Sequence, residues 1–117
     1  MATQTYHGSC QCGAVSIDVP LDLDRAMACN CSRCRRMGWA LVFAPAAKAT
    51  ISGEEATTEY LFNRHAIHHR FCATCGVELY ARGAQPDGTP VVAVNVNCLD
   101  GVDAWTLSPR RVDGARF

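Results

Sequence analysis

A chain of 117 residues with 49% apolar and 19% charged residues has the composition of an ordinary globular protein, which excludes disorder and lets it bury roughly two-thirds of its extended surface. Its formal net charge is zero, so a nucleic-acid role driven by overall charge is not expected. The longest apolar run, Trp39 to Ala47, is broken by Pro45 and falls far short of the roughly 20 residues of a membrane span.

Met1 to His7 carries neither a basic start nor an apolar stretch. The expectation is therefore no secretory signal, a cytoplasmic location and a single domain over residues 1–117. Thr3 to Tyr6 reads as a short strand entering a turn at Gly8-Ser9. Val15, Ile17 and Val19 alternate with smaller or polar residues as a half-buried strand does, and Pro20 is expected to end it. Arg35-Arg36-Met37-Gly38 reads as one helical turn stopped by glycine. Trp39 to Phe43 reads as a buried strand ended by Pro45, Thr50-Ile51 as a short strand, and Thr57 to Phe62 as another. Ile67 to Phe71 leads to a cysteine pair, Val77 to Tyr80 alternates again, and Pro86-Asp87-Gly88 turns the chain into Val91 to Val96, the strongest strand pattern. Asp100 to Phe117 carries turn residues and Trp105, which is expected to fold back onto the body. Strand and turn dominate, so the class is β-rich with little helix.

Seven of the eight cysteines fall in three groups: Cys10 and Cys12; Cys29, Cys31 and Cys34; Cys72 and Cys75. In a reducing compartment such grouping points to metal binding, and cysteines one residue apart are poorly placed to bridge each other. Closely spaced thiolates suit zinc, which is tetrahedral and borderline-soft. Glycine and then a strand follow both Cys12 and Cys75. A positive φ at that glycine would turn backbone N–H groups toward the sulfurs. The two pairs therefore read as halves of one closed, structural four-cysteine zinc site. Two closed sites need eight ligands, whereas one closed and one open site need seven. Cys29, Cys31 and Cys34 would leave a coordination position open, as catalytic zinc sites do. Three thiolates make that ion a weak Lewis acid, better suited to holding a substrate thiol as thiolate than to activating water.

Alternatives stay open at this point. Cys98, His7, His65, His68 or His69 could supply a fourth ligand and make the second site structural. Cys98 also reads as core, and the histidines as exposed loop residues. Arg33, Arg35 and Arg36 could dock the carboxylates of an anionic thiol or simply offset thiolate charge. Trp39 and Phe43 read as core. A non-catalytic zinc module for a protein or nucleic-acid partner, and an iron-binding electron carrier, are further readings.

Three motifs, His7-Gly8-Ser9-Cys10-Gln11-Cys12-Gly13-Ala14-Val15, Cys29-Asn30-Cys31-Ser32-Arg33-Cys34 and Phe71-Cys72-Ala73-Thr74-Cys75-Gly76, resemble the glutathione-dependent formaldehyde-activating enzyme family, which also includes centromere protein V. The resemblance implies an Mss4-like fold of small coiled antiparallel β-sheets joined by zinc knuckles. It implies two zinc ions per chain, one structural on Cys10, Cys12, Cys72 and Cys75 and one catalytic on Cys29, Cys31 and Cys34. The implied activity is a carbon–sulfur lyase reaction, with glutathione and formaldehyde combining to S-hydroxymethylglutathione; the expected partner is a small-molecule thiol, with no nucleic acid and no membrane.

Overall fold

The computed structural model describes residues 3–116. Met1 and Ala2 of the N-terminal stretch read above, and Phe117 of the final one, lie outside the described residues. Among the described residues ten strands and one α-helix follow in chain order: β1 (Gln4–Ser9), β2 (Ser16–Leu21), β3 (Met27–Cys29), α1 (Ser32–Met37), β4 (Leu41–Pro45), β5 (Thr50–Ser52), β6 (Thr57–Tyr60), β7 (His68–Cys72), β8 (Glu78–Ala84), β9 (Pro90–Asn95) and β10 (Arg110–Val112). The expected β-rich class with little helix is what the chain forms. A three-stranded sheet has the order β1-β2-β5 and a seven-stranded sheet the order β10-β3-β4-β9-β8-β7-β6. Every pair is antiparallel except β10 with β3.

Alternation along β2, β4 and β9 explains the packing. Ile17, Val19 and Leu21 of the small sheet meet Val42, Ala44, Val92 and Val94 of the large one, with Tyr80 among them. Each valine, leucine or isoleucine among them contributes about 1.5–3 kcal/mol when fully buried. Leu41, Ala81 and Ala93 point to the opposite face, where Cys34 and Trp39 complete a second, smaller core flanked by Met27, Cys29, Cys31 and Met37. The central cysteine segment thus roofs the outer face of the large sheet. α1 is held there by its ends: Cys31 Sγ accepts from Cys34 N–H at the start, and Gly38 takes φ 65° at the stop, the glycine role read from the sequence.

Several elements differ from their sequence reading. β1 runs straight through Gly8-Ser9, because Gly8 pairs with Ile17 and packs where a Cβ would meet Cys98 O at 2.7 Å. β2 continues past Pro20 to Leu21; β5 covers it only as far as Asp18, so the proline lies on an open edge where no N–H is required. Phe43 is 48% exposed, since it shares the outer face with Leu41 but lies beyond the roof. Glu78 to Ala81 are all buried, not alternating, because β8 has core on both faces. Trp105 stands 96% exposed, and what returns to the body is β10, a strand with no apolar alternation. No helix among the described residues is long and apolar enough to cross a membrane.

Candidate metal centre

Two groups of sulfurs converge. Cys10, Cys12, Cys72 and Cys75 place their Sγ atoms within 4.8 Å of one another, and so do Cys29, Cys31 and Cys34. The first group joins the end of β1 to the turn after β7, 60 residues away. Its two halves are folded alike: Cys10 N–H donates to Val15 O and Cys72 N–H to Val77 O, each at 3.0 Å, and Gly13 and Gly76 have φ of 84° and 81°. The positive φ expected at both glycines is present, and N–H groups do turn toward sulfur, from Val15 to Cys10 at 3.4 Å and from Thr74 and Cys75 to Cys72 at 3.4 and 3.5 Å.

The donor geometry fits zinc. A tetrahedral ion with bonds of about 2.3 Å to sulfur sets neighbouring sulfurs about 3.8 Å apart, and Cys10–Cys12 and Cys12–Cys72 are separated by 3.7 and 3.6 Å. Those spacings are far beyond a covalent bond of about 2.05 Å, and all eight cysteines are free.

At the second group Cys31 N–H donates to Cys29 Sγ at 3.4 Å and Cys34 N–H to Cys31 Sγ at 3.3 Å. Among the described residues no fourth cysteine, histidine or carboxylate joins it. Burial pushes the Cys34 thiol up to about 12, with Cys31 and Cys29 adding to the rise, whereas the Trp39 indole eases its ionisation. That indole N–H is buried and otherwise without a hydrogen-bond partner. Burial also opposes ionisation at Cys31, yet the N–H groups of Cys34 and Arg33 and the neighbouring thiols leave it lowered. In the four-cysteine group the Val77 and Cys12 N–H groups draw Cys75 down to about 6. Close like charges cannot all ionise unaided, and a divalent cation held at either group would remove that conflict.

The alternative ligands are elsewhere. His7 pairs with Asp18 at 2.9 Å, His68 with Glu59 at 3.2 Å and His69 with Glu78 at 2.7 Å, while His65 is exposed at a left-handed turn position with φ 59°. His69 is not a loop residue: it is 3% exposed on β7. Cys98 packs beside the four-cysteine group without entering it, and burial, then the nearness of Cys10 and Cys75, raises its thiol to about 11.

The three arginines separate into different roles. Arg33 Nε and Nη2 both donate to Glu78 Oε1, at 3.0 and 2.7 Å, and the guanidinium lies over Tyr60 at 4.8 Å, so this arginine is engaged inside the fold. Arg36 donates to Ser32 O at 2.9 Å on the surface. Arg35 alone lines a cleft of about 550 Å³ against the three-cysteine group, together with Cys29, Cys34, Trp39, Arg111 and Asp113. Glu78, Asn30 and Arg111 were not legible as site residues. Arg33 lies 45 residues from Glu78, Ala115 lies 85 from Asn30, and Arg111 sits on a strand with no apolar pattern.

The profile of the family described as "Glutathione-dependent formaldehyde-activating enzyme" matches residues 5–111. The crystal structure of a Rhodobacter sphaeroides protein is similar to this chain with a TM-score of 0.79 and 33% sequence identity, over 90% of this chain and 97% of that one.

Proposed function

The chain belongs to the glutathione-dependent formaldehyde-activating enzyme family, and from that premise we propose that it is a single-domain zinc enzyme of carbon–sulfur lyase type. It activates a thiol such as glutathione for addition to formaldehyde or a related aldehyde. The observation that carries the reading is the three-cysteine group, which has no fourth ligand among the described residues and opens on a cleft with two exposed arginines, Arg35 and Arg111. Cys10, Cys12, Cys72 and Cys75 would hold a structural zinc that ties β1 to the turn after β7, and Cys29, Cys31 and Cys34 the catalytic one. When bound there, zinc supplies a vacant soft site that lowers the pKa of an incoming thiol.

The protein's own groups do the rest. The backbone N–H groups of Cys31 and Cys34, which donate to Cys29 Sγ and Cys31 Sγ, carry part of the thiolate charge. Arg35 and Arg111 offer charge-assisted hydrogen bonds to substrate carboxylates. The Trp39 and Cys34 side of the cleft is buried, which strengthens those interactions. In the reaction a sulfur–carbon bond forms, the carbonyl π bond breaks and the thiol proton passes to the former carbonyl oxygen; no oxidant or reductant takes part. Holding the two reactants together adds a proximity gain. A reducing cytoplasm is the setting in which seven cysteines stay available as ligands.

Exchange NMR on glutathione and formaldehyde at equilibrium tests this against the spontaneous background. Zinc-loaded protein is expected to accelerate exchange, and Cys31→Ser to abolish the acceleration. Exchange at the background rate with both sites loaded would overturn the proposal.

A further inference from the structure

We propose that the C-terminal strap, Arg110 to Arg116, is a working part of the three-cysteine site, and that Asn30 and Gly114 are the positioning residues that fit the two together. The inference rests on the reading of Cys29, Cys31 and Cys34 as a thiol-activating metal site. Parallel pairing sets Arg110 beside Met27 and Val112 beside Cys29, so β10 delivers the chain end to the cluster. Asn30, between two of the cysteines, then grips three successive points of the strap. Its backbone N–H donates to Val112 O at 3.2 Å, its Nδ2 donates to Asp113 Oδ1 at 3.0 Å, and its Oδ1 accepts from Ala115 N–H at 2.9 Å. The Ala115 N–H can only donate, which settles which end of the amide is oxygen.

Gly114 sits over the cluster itself. A Cβ built on it would overlap Cys29 Sγ and come within 3.6 Å of Cys31 Cβ. Only a residue without a side chain lets the strap lie this close while Cys29 keeps its orientation. Arg111, Val112 and Asp113 meanwhile form one wall of the cleft. A closed four-ligand site is braced by its own ligands, but a three-ligand site has one corner with no protein tie. Its loop must be held from outside, and the strap does so. Gly114 covers one side of Cys29, and the thiol approaches through the cleft that Cys29 also lines, between Arg35 of α1 and Arg111 of the strap.

The test uses cobalt(II) on the full chain, because four-thiolate and three-thiolate sites give distinguishable visible bands and the four-cysteine site serves as an internal control of folding. Asn30→Ala is expected to weaken cobalt at the three-cysteine site at least tenfold, and to raise KM for glutathione more than it lowers kcat, with the four-cysteine site unchanged. The paired variant Asn30→Asp with Asp113→Asn exchanges donor and acceptor across the latch and is expected to return cobalt affinity to within threefold of wild type. Gly114→Ala, which leaves the Asn30 hydrogen bonds in place but sets a methyl group against Cys29 Sγ, is expected to weaken the same site. Cobalt affinity and KM within twofold of wild type in both Asn30→Ala and Gly114→Ala would overturn the proposal. If wild type fails to accelerate the condensation, the enzymatic reading falls, while cobalt affinity still decides the role of the strap.

Discussion

Arg33 and Glu78 meet across the fold, with Nε and Nη2 of the arginine donating to Oε1 of the glutamate at 3.0 and 2.7 Å. Arg33 lies between Cys31 and Cys34 on α1, and Glu78 opens β8 just beyond Cys75. The contact thus links the two cysteine groups through side chains. The Glu78 side chain is 1% exposed, and its other oxygen is taken by His69 Nδ1 at 2.7 Å. Phe62 stacks on His69 and Tyr60 on Phe62, with Tyr60 in turn beneath Arg33. The buried carboxylate is therefore fully partnered, and those partners are enclosed by aromatic rings.

Removing one side of such a pair leaves the other buried without compensation. Glu78→Ala is expected to lose about 3–5 kcal/mol, read from urea unfolding of the metal-loaded protein. A loss below about 1 kcal/mol would show that the pair is merely surface-like.

The two cysteine groups should separate on metal analysis. Cys31→Ser is expected to keep one zinc per chain and its far-ultraviolet circular dichroism. Cys72→Ser is expected to lose the fold, because the four-cysteine group joins distant segments and structural zinc contributes on the order of 10 kcal/mol. Two zinc ions retained in Cys31→Ser would remove the central group as a metal site.

Acid stability offers a third prediction, at Glu54. Arg82 donates to it at 2.7 and 3.2 Å and Tyr80 OH adds a hydrogen bond; the arginine bonds outweigh burial and hold the carboxyl below its usual 4.5. A depressed carboxylate pKa stabilises the fold above the unfolded value and loses that contribution as pH falls through the folded one. Glu54→Gln is therefore expected to be less stable than wild type at neutral pH, with the gap closing below about pH 4.5. The side chain is 35% exposed, so the gap is under about 1 kcal/mol. Acid releases metal from both proteins, so the difference between them is the diagnostic quantity. A gap that stays constant down to about pH 3 would count against this account.

Charge on the thiol should matter at the cleft. Arg111→Ala is expected to raise KM for glutathione at least threefold and to leave KM for cysteamine, which has no carboxylate, within twofold. Added salt should shrink the contrast, since Arg111 is exposed. Equal effects on both thiols would assign Arg111 to the shape of the strap alone.

What the sequence determined by itself was the local chemistry. Cysteines one or two residues apart can bring their sulfurs together only in a small set of turns, and glycine follows the pairs ending at Cys12 and Cys75 but not the central three, so the division into groups of four and three cysteines is legible from spacing. The same holds for the Gly38 helix stop and for the strand that carries Ile17 and Val19, where alternation is a property of neighbouring residues. Tertiary structure decided everything that depends on pairing between distant segments. No local pattern shows that Glu78 is buried against Arg33, because an acidic residue in a strand is ordinarily read as solvent-facing. None marks Arg110 to Val112 as a strand, since its hydrogen bonds come from the parallel neighbour Met27 to Cys29 and not from apolar periodicity. Nor does the sequence show why Gly114 is glycine. Its requirement is set by Cys29 Sγ, 85 positions earlier in the chain, through a distance of approach that exists only once the strap has folded onto the cluster.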